Sequence, residues 1–384
     1  MHLIALKMLF GDKSKLVSMI VGIAFASLIM TQQPSILVGL LSRTYSFVRD
    51  VSLPDIWVMD KGVQFVEESK PMRDIELMRI KSIPGVAWAV PMYKNLTKAR
   101  LPDGSTKTLD LTGLDDGTLI GAPPFLIEGS LQDFKRSDAI FVDKEAAHSR
   151  LRIKISETET RPLLIGDVIE INDKRAVVVG YVKSTRNFVL QPQAYTLYSR
   201  AVRYAPPTSK YLTYVLIKLK PDAYLPDVCN AIQQRTDLKA YSSEEFAQVN
   251  LNYWMKSTGI PINFGISVAL GFLVGIAVVG QTFFNFVHEN TKYYAVLKAM
   301  GLQNRNLSFM VILQAITVGI IGYGIGVGLA SLFGMKFHDS VLAFRMPPIL
   351  LLYSFLGVFF IICLSAYLGI KRVISVDPAI VFRS

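Results

Sequence analysis

Residues 16–41 read LVSMIVGIAFASLIMTQQPSILVGLL, and no charged side chain interrupts them. A helix needs about 20 mostly apolar residues to cross a hydrocarbon core about 30 Å thick, so this run spans a bilayer even when tilted. Three similar runs occupy the last third of the chain, at 262–287, 307–335 and 346–370, and none contains Asp, Glu, Lys or Arg. Between the first run and the other three lie some two hundred residues of ordinary mixed charge. The layout predicts an α-helical membrane protein with four transmembrane helices and a large mixed α+β domain, 42–261, inserted between helices 1 and 2. The remaining segments are an amphipathic N-terminus at 1–15, a loop at 288–306, a short loop at 336–345 and a tail at 371–384.

Lys13 and Lys15 precede the first run, as they would in a signal peptide. The run is longer than a signal's apolar core and no A-x-A-like cleavage site closes it, so it reads as an anchor. The third run is rich in glycine, with Gly322, Gly326 and Ala330 forming a small-xxx-small row on which helices can approach closely. Lys7, Lys13, Lys15, Lys292, Lys298, Arg305, Lys371, Arg372 and Arg383 fall on one side of the spans, against Lys336 and Arg345 in the short loop of the other. By the positive-inside rule both termini are cytoplasmic and the inserted domain is periplasmic.

The formal net charge of +11 would raise nucleic-acid binding in a soluble protein, but no basic block interleaved with aromatics appears, which argues against that class. Cys229 and Cys363 fall on opposite sides of the predicted membrane boundary and form no disulfide in this reading. Within the inserted domain, alternation and turn signals predict strands at 55–58, 86–91 and 213–219 and helices at 72–83 and 225–235. Hairpins are predicted around Asp103-Gly104 and Asn172-Asp173. Ser242 or Ser243 caps a helix that runs through Tyr253 and Trp254 toward Pro261, and 42–50 prolongs the first span, so that two stalks join the domain to the membrane.

Chemistry-bearing motifs are scarce. Gly11-Asp12-Lys13-Ser14 lacks the loop of a phosphate-binding GxxxxGK[ST] stretch. The histidines His2, His148, His288 and His338 are dispersed without metal-ligand spacing. Asp115-Asp116 and Glu67-Glu68 are acidic neighbours that read as solvated surface. Absence of charge within the spans also argues against an ion relay. No metal, catalytic residue or cofactor is expected in this chain, which leaves a subunit powered by a partner. The segment 288–302, HENTKYYAVLKAMGL, places Tyr293, Val296, Leu297 and Met300 at helical spacing and ends at Gly301. An interfacial anchor and a docking helix fit that pattern equally well. Gln281 and Asn285 read as polar groups inside the bundle.

Several stretches resemble the permeases of MacB/FtsX-type (type VII) ABC transporters, and most closely the DevC-like branch. They are Gly22 to Ala26 with Met30 and Gln32, Tyr253-Trp254, Ser257 to Ile260, Tyr294 to Gly301, and Asp377 to Arg383. Within the inserted domain the resemblance is thinner, resting on Val90 to Tyr93, Ile165-Gly166-Asp167 and Glu244-Glu245-Phe246. It departs at Gln314, which the family pattern often follows with Glu and which Ala315 follows here. The resemblance implies a homodimer of permeases, each carrying a separate ATPase subunit that binds the ATP and Mg. It makes 288–306 the coupling segment, with Glu289, Lys292, Tyr293, Lys298, Met300 and Gly301 as the ATPase-contacting residues. It further implies an inner-membrane protein transmitting motion to its periplasmic domain, for efflux of an amphiphile with a periplasmic adaptor and an outer-membrane duct. The alternative is an FtsX-like scaffold that switches an extracytoplasmic enzyme without transport; a membrane-tethered enzyme lacks a visible site.

Overall fold

The computed structural model describes residues 2–207, 210–337 and 342–375. The chain divides into two compact units, one of Met1–Leu40 with Gly259–Ser384 and one of Leu41–Thr258. The first unit contains α1 (His2–Gly11) and α2 (Lys13–Arg43), whose last residues enter the second unit. The second unit runs α3 (Ser46–Asp50), β1 (Ile56–Met59), α4 (Ile75–Lys81), β2 (Val86–Arg100), β3 (Thr106–Leu114), β4 (Phe125–Glu128), β5 (Ala139–Asp143) and α5 (Lys144–His148). It continues with β6 (Ile153–Lys154), β7 (Thr160–Arg161), β8 (Val168–Ile171), β9 (Lys174–Lys183), β10 (Gln193–Leu197) and α6 (Tyr198–Tyr204). Then come β11 (Tyr214–Leu219), α7 (Leu225–Thr236), β12 (Lys239–Ser242) and α8 (Ser243–Ser257). The chain then returns to the first unit with α9 (Ile260–Glu289), α10 (Thr291–Ala299), α11 (Asn304–Lys336) and α12 (Pro348–Ile374).

Four helices, α2, α9, α11 and α12, are long and apolar enough to cross a membrane by length and composition. Their shared core gathers Met19, Ile23 and Ala26 of α2 with Val279 and Phe283 of α9, Val318 of α11 and Ile361 of α12. Gly322, Gly326 and Ala330 are buried, and the row lets α11 approach α2 closely. A Cβ on Gly326 would sit 2.5 Å from the Ala24 carbonyl oxygen and 2.6 Å from the Ser27 Cβ. Neither a larger side chain nor a lipid tail fits there.

In the inserted domain β2 is the organising strand. Its first half pairs with β11, which continues through β1 to β12. Its second half pairs with β3, and pairing then passes through β10, β5 and β9 to β8, which returns to β2 through Ala99↔Ile171 and Arg100↔Glu170. Six strands thus close a small barrel without an open edge, the arrangement that removes unpaired backbone groups. Tyr93, Leu109, Leu111, Ile140, Val142 and Val178 belong to its core. A second core, with Ile80, Ile217, Val228 and Ile232, packs α4 and α7 on the β11 side. Asn172 and Asp173 both adopt positive φ, 46° and 59°, the two-residue turn that suits the right-handed twist of the β8–β9 hairpin.

The helices flanking the domain are not continuous with the spans, contrary to the stalks expected from the sequence. Thr44 closes α2 by donating both its amide and its hydroxyl to the Leu41 carbonyl, and α3 starts afresh at Ser46. At the other end, α8 has a capping box in which Ser242 Oγ accepts from the Glu245 amide and the Glu245 carboxylate accepts from the Ser242 amide. It stops at Ser257, where Thr258 is extended and its hydroxyl returns to the Trp254 carbonyl. The helix expected from Ser242 or Ser243 toward Pro261 is α8, which ends at Ser257, and α9 starts afresh at Ile260.

Candidate functional site

The candidate site is α10, the nine-residue helix between the second and third spans. Asn290 separates it from α9, its side chain donating to the Phe286 carbonyl while its own carbonyl accepts from the Tyr293 amide. At the other end Gly301 lies at φ +93°, its amide donating to the Lys298 carbonyl and the Leu302 amide to that of Leu297. This is a Schellman closure, and the positive φ is why glycine stands there.

The exposed and buried faces of α10 depart from a simple amphipathic reading. Tyr294 and Ala295 are wholly buried and Leu297 packs against the bundle core. Tyr293, Val296 and Met300, three of the four residues whose spacing suggested an apolar stripe, are exposed by 62%, 41% and 75%. The helix therefore presents an uncovered apolar stripe while its opposite face is anchored, with Lys292 exposed beside it. Two of the expected contact residues are engaged within the chain. Glu289 forms an ion pair with Lys15 at the start of α2, and Lys298 Nζ donates to the Ile374 carbonyl at the end of α12 over 2.9 Å. Arg372 meets His288 across the same end of the bundle at 3.0 Å, so the basic termini of the spans converge around α10.

The placement of Gln281 and Asn285 corrects the sequence reading. Both lie on the exposed face of α9, with Gln281 Nε2 donating to Asn285 Oδ1 at 3.2 Å. Four residues apart on one helix, they share one local hydrogen bond, and the inward face belongs to Phe283, Phe286 and Val287. The acidic neighbours carry structure instead of chemistry. Asp115 accepts from the Thr118 amide and hydroxyl, Asp116 accepts from the Ser199 amide, and Glu68 pairs with Lys70 at 2.8 Å. Among the described residues no group of His, Cys, Asp and Glu could hold a metal. His338 and the motif Asp377 to Arg383 lie outside the described residues.

One polar cluster in the inserted domain was not visible in the sequence. Lys94 of β2 and Asp110 of β3, each 2% exposed, pair at 2.7 Å, and Asn187 Nδ2 donates to the same carboxylate at 2.8 Å. The Lys94 ammonium also sits 3.9 Å from the ring of Phe47 in α3. Nearby, both carboxylate oxygens of Glu67 are buried without a partner, and burial pushes its pKa up to about 7, partly offset by Lys94 and reinforced by Asp110. The Val66 amide beside it donates to Asn250 of α8 at 2.7 Å. The network therefore ties α3 to the barrel strands β2 and β3, while Asn250 ties α8 to the loop that carries Glu67.

Four apolar helices with a large mixed domain inserted after the first, and a short helix exposed between the second and third, define a multi-pass membrane protein. Residues 16–235 match the MacB-like periplasmic core domain and residues 265–378 the FtsX-like permease C-terminal family. The chain belongs to the MacB/FtsX-type ABC transporter permeases. It is 23% identical over 322 residues to an uncharacterized ABC transporter permease of Mycobacterium tuberculosis, covering 82% of this chain and 80% of that one. It is 25% identical over 276 residues to the macrolide export ATP-binding/permease protein MacB of Haemophilus ducreyi, covering 69% of this chain and 38% of that protein. Among solved structures, the periplasmic region of MacB from Actinobacillus actinomycetemcomitans aligns with a TM-score of 0.36 at 12% identity, over 52% of this chain and 94% of that one. The extracellular domain of the transporter YknZ from Gram-positive bacteria aligns at 0.34 and 13%, over 50% of this chain and 99% of that one.

Proposed function

We propose that this chain is the transmembrane subunit of an ABC transporter whose ATP is bound and hydrolysed, with Mg, by a separate ATPase chain seated on α10. The observation that carries the reading is the uncovered stripe of Tyr293, Val296 and Met300 on a helix whose other face is held by the bundle. An interfacial anchor would submerge that stripe in lipid; a docking helix would bury it in a partner's groove. The concentration of Lys13, Lys15, Lys292, Lys298, Arg305, Lys371 and Arg372 at the α10 end supports a cytoplasmic position for it and a periplasmic one for the inserted domain.

In this reading the protein lies in the inner membrane as a homodimer, with lipid around its spans. ATP-driven closure of the ATPases displaces α10, and the motion reaches the periplasmic domain. There it drives export of an amphiphilic substrate with a periplasmic adaptor and an outer-membrane duct, as in the DevC-like branch. Tyr293→Asp and Met300→Asp test the docking surface. Both are expected to insert normally yet to lose copurification with the partner ATPase; unchanged copurification of both would overturn the assignment. A periplasm-dependent reporter fused at residue 150 should be active, and cytoplasmic activity there would reverse the topology.

A further inference from the structure

Behind the exposed stripe of α10, the buried Tyr294 hydroxyl donates to Gln314 Oε1 of α11 at 2.9 Å. Gln314, also wholly buried, uses the other end of its amide to donate from Nε2 to the Ala5 carbonyl of α1, again at 2.9 Å. One side chain thus bridges the proposed docking helix, a span and the N-terminal helix. Its surroundings are apolar, including Leu9, Leu307, Met310 and Val311.

Stability alone does not account for polar groups here. Phenylalanine would fill the Tyr294 site, and leucine or methionine the Gln314 site, without burying an oxygen or an amide. Interhelical hydrogen bonds in membrane proteins average only about 0.6 kcal/mol. What the pair does provide is register, because a buried donor that slides off its acceptor is left unsatisfied and water is not there to replace it. Ala315, the residue after Gln314, lines a small, mostly apolar cavity with Met19, Ile23, Val318 and Ile362. At that level the amide of Gln314 links α10, α11 and α1.

We propose that Gln314 is the positioning residue that passes displacement of α10 to α11 and α1, with Tyr294 as its input and the Ala5 carbonyl as its output. A shift of α10 along α11 must either carry Gln314 or break the bond to Tyr294. A rotated Gln314 amide in turn releases α1, a helix with Leu3, Ile4 and Phe10 exposed and only Ala5 and Leu9 buried. α1 is thus lightly held and responds readily. The proposal rests on α10 being the ATPase docking helix.

The test compares wild type, Tyr294→Phe and Gln314→Met as full chains in complex with the ATPase. Hydrogen exchange of the α1 and α10 peptides is followed without nucleotide and with a non-hydrolysable ATP analogue. The wild type is expected to change exchange in both helices. Both variants should assemble and keep the change in α10, while the nucleotide-dependent change in α1 falls at least about fivefold, equivalent to about 1 kcal/mol of coupling. A merely structural role would alter α1 exchange equally in both states and leave the difference intact. Full retention of that difference in either variant overturns the relay, as does a wild type in which α10 responds and α1 does not. A wild type whose α10 shows no response removes the docking assignment and the relay together. Should Gln314→Met fail to insert, Tyr294→Phe, which deletes one oxygen, decides alone.

Discussion

Replacing Lys94 with methionine tests the buried network of the inserted domain. The substitution keeps most of the aliphatic stem and removes the ammonium, leaving Asp110, 2% exposed, with Asn187 as its remaining side-chain partner. Breaking a buried ion pair from one side costs about 3–5 kcal/mol, because a carboxylate stays behind without its counter-charge. The cation over the Phe47 ring is lost as well, which loosens α3 from β2. For a domain of this size each kcal/mol moves the melting temperature by about 2–4 °C, so Lys94→Met should lower it by roughly 6–20 °C. Intrinsic fluorescence reads this domain selectively, since the chain's three tryptophans, Trp57, Trp88 and Trp254, all belong to it and none to the spans. The double variant Lys94→Met/Asp110→Leu should recover most of the loss, as apolar replacement of a whole buried pair is often neutral. A single variant that melts within about 2 °C of wild type would refute the reasoning. So would a double variant no better than the single, which would mean that packing, not charge, was lost.

Glu67→Gln should change the pH dependence of stability. The Glu67 carboxyl is raised from its ordinary value to about 7 by burial, so folding is disfavoured by its ionisation. Wild-type stability should be greatest below about pH 4.5 from this group and decline as pH rises toward 7, by on the order of 3 kcal/mol. Melting curves at pH 5 and pH 8 should therefore show the variant gaining far more relative to wild type at the higher pH; an equal difference at both would remove Glu67 from the account. In the third span, Gly326→Ala should destabilise the α2–α11 contact by about 1–3 kcal/mol, read as faster thermal inactivation in detergent. Gly324→Ala and Gly328→Ala meet nothing within 4 Å and should leave it unchanged. Equal effects at all three glycines would show that helix propensity, and not the close approach, sets the result.

The spans were legible because bilayer thickness imposes a length and a composition that no neighbour needs to supply. The hairpins at Asp103-Gly104 and Asn172-Asp173 were legible because turn geometry is local. β5 and β10 were not, since each is five residues long and makes a parallel pairing with a strand far away in sequence, β5 with β9 and β10 with β3. β2 reads in the sequence as two pieces, 86–91 and the hairpin arm at 99–101, and is continuous from Val86 to Arg100, because Lys94 looks like a surface residue until Asp110 is brought opposite it. Gln281 and Asn285 misled for the converse reason. Two amides on a membrane helix ask for partners, and the sequence alone does not reveal that they bond to each other on the exposed face. In α10 the spacing marked Tyr293, Val296 and Met300 as an apolar face without indicating that it would remain uncovered. Tyr294 and Gln314 were hidden because their bond joins separate helices.

Site-specific cross-linking from α10 in native membranes most directly tests whether the work is done on this chain by another. A cysteine at Met300, reacted with a short thiol-to-amine cross-linker, should join this chain to its ATPase, and the yield should change when ATP binding is trapped. An absence of adducts from Met300→Cys and Tyr293→Cys, in membranes where the ATPase still copurifies with the wild-type chain, would contradict the account.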